Sequence, residues 1–247
     1  MAVILDAKNI SIRYMIGDYR DLGIKDYVIQ KLRGEYKMQE FWAVRNVSFQ
    51  LNDGDFLGII GKNGAGKSTL LKAVAGIMQP TEGSLAVKKQ ITALLELGTG
   101  FDGDMTVREN IFLRGAILGY TRAFMNVAYG GIVAFSELEE FVDRPLKHLS
   151  SGMKGRLAFS VACLVKPEIL ILDEVLAAGD ASFKKKSEAK MMEILNSGVS
   201  TIFVSHSLAS VKSMCNKVLW LHKGQQMAFG ETAEICDMYT KFIDEGN

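Results

Sequence analysis

The segment GKNGAGKST, residues 61–69, constrains this chain more than any other part of it. It matches the phosphate-binding pattern G-x-x-x-x-G-K-[ST], which requires a strand before it and a helix after it. The apolar residues DFLGII before the segment and the helix-favouring residues LLKAVA after it provide that context. Glycines let backbone N–H groups curl around phosphate oxygens, and the positive end of the following helix faces the anion. The segment therefore predicts a nucleoside triphosphate site.

The candidate triphosphate ligands in this segment are Gly61, Asn63, Gly64, Ala65, Gly66, Lys67, Ser68 and Thr69. Lys67 is expected to reach the β- and γ-phosphates, and the Ser68 hydroxyl is expected to ligate Mg²⁺. The alternative is a glycine-rich turn that matches the pattern by chance, which the flanking strand and helix disfavour.

Composition excludes several classes of protein. The chain has 247 residues, of which 48% are hydrophobic, enough for one large domain or two small ones. A formal net charge of +1 argues against an extended nucleic-acid surface, although it is compatible with a small local basic patch. No apolar run approaches the roughly 20 residues of a membrane span, and no signal peptide is expected. The three cysteines lack metal-ligand spacing and are typical of a reducing compartment.

The chain alternates strands with helices, which predicts an α/β sheet with ligands at the carboxyl ends of its strands. Strands are predicted at residues 4–14, 42–53, 55–60, 84–87, 91–95, 167–172, 200–204 and 217–221, with a short one after residue 224. Helices are predicted at residues 107–120, 123–141, 183–196, 208–215 and 231–243, and from a Ser150 or Ser151 N-cap to Leu164. Residues 4–14 form either two strands or one strand with a turn at Lys8–Asn9.

Two carboxylates, Asp173 and Glu174, follow the buried strand predicted at residues 169–172. In that position Asp173 suits a magnesium-binding role, and Glu174 suits a general base that polarises the attacking water. An acidic pair that caps a helix is the alternative, which the phosphate loop disfavours. His206 follows a second buried strand, where a histidine can bond the γ-phosphate. A histidine with only a structural role is the alternative there.

These motifs occur in the order found in the ATP-binding cassette (ABC) ATPases, which the chain resembles over essentially its whole length. The family signature, usually LSGGQ, reads LSSGM here at residues 149–153, so Ser151 and Met153 depart from the commoner pattern. The resemblance implies one α/β domain over residues 1–247, a P-loop NTPase of ABC type. It implies a RecA-like core, an antiparallel β subdomain, and a helical subdomain at about residues 103–162.

The resemblance also implies ATP as substrate and a homodimer with two composite sites. In each site the signature of one copy would contact ATP held by the other copy, through Ser150, Ser151, Gly152 and Met153. Asp180 stands where the family has its interface-crossing D-loop. Tyr14 stands where an aromatic ring stacks on adenine, although a core or edge tyrosine is the alternative. The family's Q-loop glutamine is missing, and Glu96 either serves the metal or water in its place or is a surface glutamate.

The segments LELGTGF at 95–101 and DEVLAAGDASF at 173–183, with the polar insertion at 17–39, resemble the polysaccharide-export branch. That branch implies a Mg²⁺-dependent ATPase, peripheral to the cytoplasmic face of the bacterial inner membrane. It would drive a dimeric transmembrane permease through residues 103–162 and export a lipid-linked polysaccharide, with O-antigen expected. No carboxyl-terminal carbohydrate-binding domain and no nucleic-acid partner are expected. The alternatives are capsule, teichoic acid or lipid transport, an importer, and a soluble nucleotide-gated ABC module.

Overall fold

A computed structural model describes residues 2–16, 39–93, 100–164, 167–173, 181–205 and 207–245. Within these ranges the strands are β1 (Val3–Ile16), β2 (Gln39–Asn52), β3 (Phe56–Ile60), β4 (Glu82–Val87), β5 (Ile91–Ala93), β6 (Ile169–Asp173), β7 (Ser200–Val204), β8 (Lys217–His222) and β9 (Gln225–Glu231). The α-helices are α1 (Lys67–Val74), α2 (Val107–Ile117), α3 (Arg122–Ser136), α4 (Ser151–Leu164), α5 (Ala181–Asn196), α6 (Leu208–Met214) and α7 (Thr232–Asp244).

The strands join into one sheet in the order β4-β1-β2-β9-β8-β3-β7-β6-β5. The strands β8, β3, β7, β6 and β5 run parallel, whereas β4 and β2 each run antiparallel to β1, which lies between them. The two parts meet where Arg45 of β2 pairs with Gln225 of β9. The sheet is therefore mixed and the fold is α/β, which confirms the fold class predicted from the sequence.

The central strand β3 is buried because helices cover both faces of the parallel part of the sheet. Leu57 and Ile59 join an apolar cluster with Leu70 of α1 on one face. Ile60 joins a second cluster with Phe159 of α4 on the other face. The alternation of side chains along a strand produces this division.

A third apolar cluster lies between α2, α3 and α4, and contains Val107, Ile132 and Leu157. The predicted helix at 123–141 is wrong at its end, since α3 stops at Ser136. Glu137 takes a left-handed conformation with φ of 58°, which ends the helix. A separate 3₁₀ turn follows at Glu139–Phe141.

The amino-terminal strand resolves the alternative that the sequence left open. Residues Val3–Ile16 form one strand, so the alternative prediction of two strands is wrong. The irregularity falls at Asn9, which has a φ of 52° and lies within a shift of register between Ala7 and Ile10. It is a bulge that keeps the strand paired on both sides.

Candidate functional site

Three neighbouring strands bring the predicted site elements to one edge of the sheet. Val204 at the end of β7 pairs with Ile59 of β3 on one side and with Asp173 of β6 on the other. Since adjacent strands lie about 4.8 Å apart, the Asp173 backbone lies about 10 Å from that of Ile59. Ile59 is followed closely by Gly61, so the phosphate loop and the Asp173 segment share this edge.

The loop after β3 can be built only with glycine at its two ends. Gly61 has a φ of 149° and Gly66 a φ of 97°, conformations that other residues rarely adopt. A Cβ atom on Gly61 would lie 2.2 Å from the Leu221 carbonyl oxygen, and one on Gly66 would lie 2.4 Å from that of Ala43. The loop is therefore held tightly between β8 and β2.

Lys67 places a buried ammonium inside this loop. Its residue is only 7% exposed, and Nζ donates to the carbonyl oxygens of Gly61, at 2.6 Å, and Lys62, at 3.1 Å. Lys67 is also the first residue of α1, whose free N–H groups and positive dipole end face the same space. The cation and the helix end together form an environment for a polyanion.

A cavity of about 320 Å³ opens above this loop. Its walls contain every predicted triphosphate ligand except Gly61, together with part of β2 and the end of β7; the lining residues are Phe41, Ala43, Asn63, Gly64, Ala65, Gly66, Lys67, Ser68, Thr69 and Val204. The donor set, a lysine, two hydroxyls and backbone N–H groups at a helix start, fits a magnesium-bound triphosphate.

Among the described residues that line this cavity, Phe41 is the aromatic one, and the sequence did not predict its position there. Phe41 is half exposed, lines the cavity wall and pairs across the strands with Tyr14. Tyr14 lies outside the wall, with its hydroxyl 3.6 Å from Met78 Sδ. The stacking role of Tyr14 stays a prediction, and Phe41 is the aromatic residue closest to fulfilling it by position.

The signature residues begin the helix α4. The Ser150 hydroxyl accepts a hydrogen bond from the Met153 N–H at 3.2 Å, so Ser150 is the N-cap and Ser151 the first helical residue. In the described part of the chain, none of Ser150, Ser151, Gly152 and Met153 lines the cavity of the phosphate loop.

Several predicted residues lie outside the described ranges: Glu96, Glu174, Asp180, His206 and residues 17–38 of the insertion. Their roles stay predictions. Asp173 is described for its backbone, as the last residue of β6.

A second cavity, of about 420 Å³, lies between α2 and α3. Apolar side chains form most of its surface and three charged residues surround them; the lining residues are Met105, Arg108, Glu109, Phe112, Leu113, Ala116, Tyr120, Arg122 and Met125. Arg122 lies over the Phe112 ring at 5.7 Å, and Arg108 pairs with Asp143 at 3.0 Å. Among the described helices, none combines the length and hydropathy needed to cross a bilayer.

The family model described as ABC transporter matches residues 44–177 of this chain. The O-antigen export system ATP-binding protein RfbB of Klebsiella pneumoniae is 38% identical over 97% of this chain and 98% of that protein. The protein of the same name from Myxococcus xanthus is 43% identical over 94% of this chain, which spans 53% of that relative. The teichoic acids export ATP-binding protein TagH of Bacillus anthracis is 39% identical over 91% of this chain, which spans 40% of that relative.

Solved structures agree with the fold. An ATP-binding subunit of an ABC transporter superimposes with a TM-score of 0.69 at 22% identity, over 96% of this chain and 93% of that one. A dimeric ATP-binding cassette in a post-hydrolysis state, bound to ADP and phosphate, has a TM-score of 0.67 at 19% identity, over 92% and 98%. The family match, the relatives and the phosphate loop agree, and the chain belongs to the ABC transporter family, with the fold of its ATPase cassettes.

Proposed function

We propose that this protein is the Mg²⁺-dependent ATPase that powers export of a lipid-linked polysaccharide, with O-antigen as the expected polymer. The observation that supports ATP binding most strongly is the loop with Gly61 and Gly66 at its two ends, which surrounds the buried Lys67 ammonium. Support for export comes from relatives named for O-antigen and teichoic acid export, one of them matched over nearly its full length. The site of action is the cytoplasmic face of the bacterial inner membrane.

The residues of the first cavity suit hydrolysis of the terminal phosphate. Lys67 and the loop N–H groups bind the triphosphate oxygens and neutralise their charge. Ser68, Asp173 and Glu96 are the candidate ligands of Mg²⁺, which supplies further neutralisation of the phosphate charge when bound. Glu174 accepts a proton from water as its oxygen attacks the γ-phosphorus, and the bond to the ADP oxygen breaks. His206 steadies the γ-phosphate.

Phe41 is proposed to stack on the adenine base. Its ring is the aromatic group that the described residues place on the cavity wall, and half of its surface is open to a ligand. Stacking on an aromatic face is available to any base, so Phe41 would contribute affinity and little discrimination between nucleotides.

The functional unit is proposed to be a head-to-tail homodimer. Among the described residues, Ser150 to Met153 of the signature do not line the phosphate-loop cavity of their own copy, which supports a second copy as the source of this face. The start of α4 offers hydroxyls and N–H groups suited to phosphate. Asp180 would lie at the interface between the copies.

The second cavity is proposed to receive a cytoplasmic helix of the dimeric permease. Met105, Phe112 and Met125 provide apolar walls for such a helix. Arg108 and Arg122 at the cavity favour a partner that carries acidic residues beside its apolar anchor. Residues 103–162 would then act as the subdomain that contacts the permease.

Filling the cavity tests this docking site. Ala116 lines the cavity and is exposed, so Ala116→Trp blocks the cavity without a collision in the core. Ala86→Trp on the exposed strand β4 is the matched control. The first variant is expected to keep its own ATPase activity and to lose copurification with the permease, whereas the control keeps both. Undiminished copurification of Ala116→Trp with the permease would show that the permease contacts another part of the chain.

The export function is tested by deleting the gene in its own organism. Surface polysaccharide is expected to disappear while the lipid-linked polymer accumulates inside the cell. The wild-type gene should restore export, and a Lys67→Ala gene should not. The chemistry of the lost polymer distinguishes O-antigen from teichoic acid or capsule, and an unchanged cell surface contradicts the proposal.

A further inference from the structure

Asn110 is a fully buried polar residue outside the phosphate loop. It lies in the first turn of α2 and its residue is 0% exposed. Its Oδ1 accepts from the Asp102 N–H at 2.8 Å. Its Nδ2 donates to the carbonyl oxygens of Asp102, at 2.8 Å, Met105, at 3.1 Å, and Thr106, at 2.9 Å. One side chain thus fixes the loop formed by residues 102–106.

The same loop is bonded to the segment that leads into the signature. The Leu146 N–H donates to the Met105 carbonyl oxygen at 2.9 Å, and the Lys147 N–H donates to that of Gly103 at 2.9 Å. Lys147 also pairs with Asp104 at 2.8 Å. These contacts hold the 3₁₀ turn Leu146–His148 against the loop.

The Met105 carbonyl oxygen joins the two halves of this arrangement. It accepts from Asn110 Nδ2 and from the Leu146 N–H, so a shift of the loop moves the turn with it. Leu149, the next residue after the turn, is 5% exposed, and Ser150 then caps α4. The chain is therefore constrained without interruption from Asn110 to the signature.

We infer that Asn110 is a positioning residue for the ATP site: through residues 102–106 it sets where the signature segment lies. This inference rests on the proposed function, in which the signature of one copy faces the ATP of the other. Asn110 does not touch the nucleotide in this account. It acts in trans, on the phosphate loop of the partner copy.

The direct test is Asn110→Asp, which keeps the size and Oδ1 but replaces the donating amide. A second carboxylate oxygen would then face the three carbonyl oxygens that Nδ2 now binds. ATP affinity measured with a fluorescent ATP analogue is expected to stay within about twofold, because the phosphate loop is intact. The rate of hydrolysis at saturating ATP is expected to fall about 10- to 100-fold, the effect of a small misplacement of a site group.

Complementation separates this role from general damage to the fold. Lys67→Ala has a defective phosphate loop and an intact signature, whereas Asn110→Asp has the reverse. Mixed in equal amounts, the two should recover about a quarter of the wild-type rate, because half of randomly paired dimers contain one intact site of two. A mixture no more active than its components overturns the inference, as does a wild-type rate for Asn110→Asp alone.

Ile111→Val is the matched control, since Ile111 is the next residue of α2 and is equally buried but makes no contact of this kind with the loop. It should keep the wild-type rate at temperatures where it is folded. If Asn110→Asp fails to fold by circular dichroism, Asn110→Ser replaces it in both measurements with the same expectations. Failure of the proposed function looks different, because the wild type itself would then show no hydrolysis.

Discussion

The two ends of β3 bury charged groups for opposite purposes. At the amino end, the Asp55 carboxylate accepts hydrogen bonds from the Asn52 N–H, at 2.8 Å, and from Asn216 and Lys217, at 2.9 Å each. At the carboxyl end, the Lys67 ammonium donates to carbonyls of its own loop. Both groups are buried, at 2% and 7% exposure.

The difference lies in what each charged group faces. Asp55 has a lysine as counter-charge within the fold, so its burial stabilises the folded chain. Lys67 donates to carbonyl oxygens of its own loop and borders an open cavity that an anionic ligand can enter. One strand therefore carries a closed structural end and an open ligand-binding end.

The largest effect is expected from Lys67→Ala, which removes the cation at the open end. Hydrolysis should fall at least about 10²- to 10³-fold, the loss measured when one donor to a developing charge is removed. Lys62→Ala is the matched control, since Lys62 is an exposed lysine of the same loop. Steady-state ATPase rates at saturating ATP compare them, and equal losses in both variants would reject a specific role for Lys67.

Two glycine substitutions compare the tolerance of the two ends. Gly61→Ala should lower the free energy of unfolding by about 3 kcal/mol or more, from backbone strain plus the collision with the Leu221 carbonyl oxygen. Gly54, at the amino end, has a φ of 81° and nothing near its Cβ position. Gly54→Ala should therefore lower the free energy of unfolding by the backbone strain alone, about 1–2 kcal/mol. Urea unfolding measures both, and the reverse order would contradict the described loop.

Asp55→Asn is expected to destabilise the fold by about 1.5–3 kcal/mol at pH 7, the range for hydrogen bonds to charged groups. Burial raises the pKa of Asp55, but hydrogen bonds from Asn216, Lys217 and Asn52 outweigh it and hold the pKa below its ordinary value. A lowered pKa adds stability that is complete above the unfolded value of about 3.9 and is lost as pH falls through the folded value. The difference between wild type and variant should therefore shrink in acid.

Thermal unfolding of both proteins at a series of pH values from 7 downward measures this difference in stability. ATP affinity at pH 7 should be unchanged in folded Asp55→Asn, because the carboxylate lies at the opposite end of the strand from the cavity. A selective loss of ATP binding in this variant would remove the distinction between the two ends.

The smallest effect is expected from Phe41→Ala. Loss of one stacking contact should weaken ATP binding about 5- to 10-fold, with little change in the rate at saturation. Tyr14→Ala is the comparison, and it should leave affinity nearly unchanged because Tyr14 lies outside the cavity wall. Calorimetric titration with ATP measures both. A larger loss for Tyr14→Ala would restore the role predicted for it from the sequence.

The phosphate loop and the parallel part of the sheet could be predicted because their signals are local. Residues 61–69 carry their own pattern, and β3, β6 and β7 are short, mostly apolar segments. The edge of the sheet at which the site lies then followed from the rule for parallel strands.

Features that depend on distant pairing could not be predicted in this way. Phe41 reaches the cavity because β2 pairs with β1 across the insertion at residues 17–38, and no local pattern gives that register. Asn110 has the sequence context of an ordinary exposed helix residue, and only the packing of residues 102–106 buries it. The end of α3 was missed because Glu137 is left-handed without being glycine, and it pairs with Arg156 and Lys186.

The open end of β3 is proposed to be half of an ATP site that a second copy completes. Light scattering of Glu174→Gln with ATP and Mg²⁺ tests it most directly, because this variant binds ATP and cannot activate the attacking water. The expected mass is that of two copies with ATP and of one copy with ADP. A variant that binds ATP with wild-type affinity and stays a single copy at all protein concentrations would contradict it.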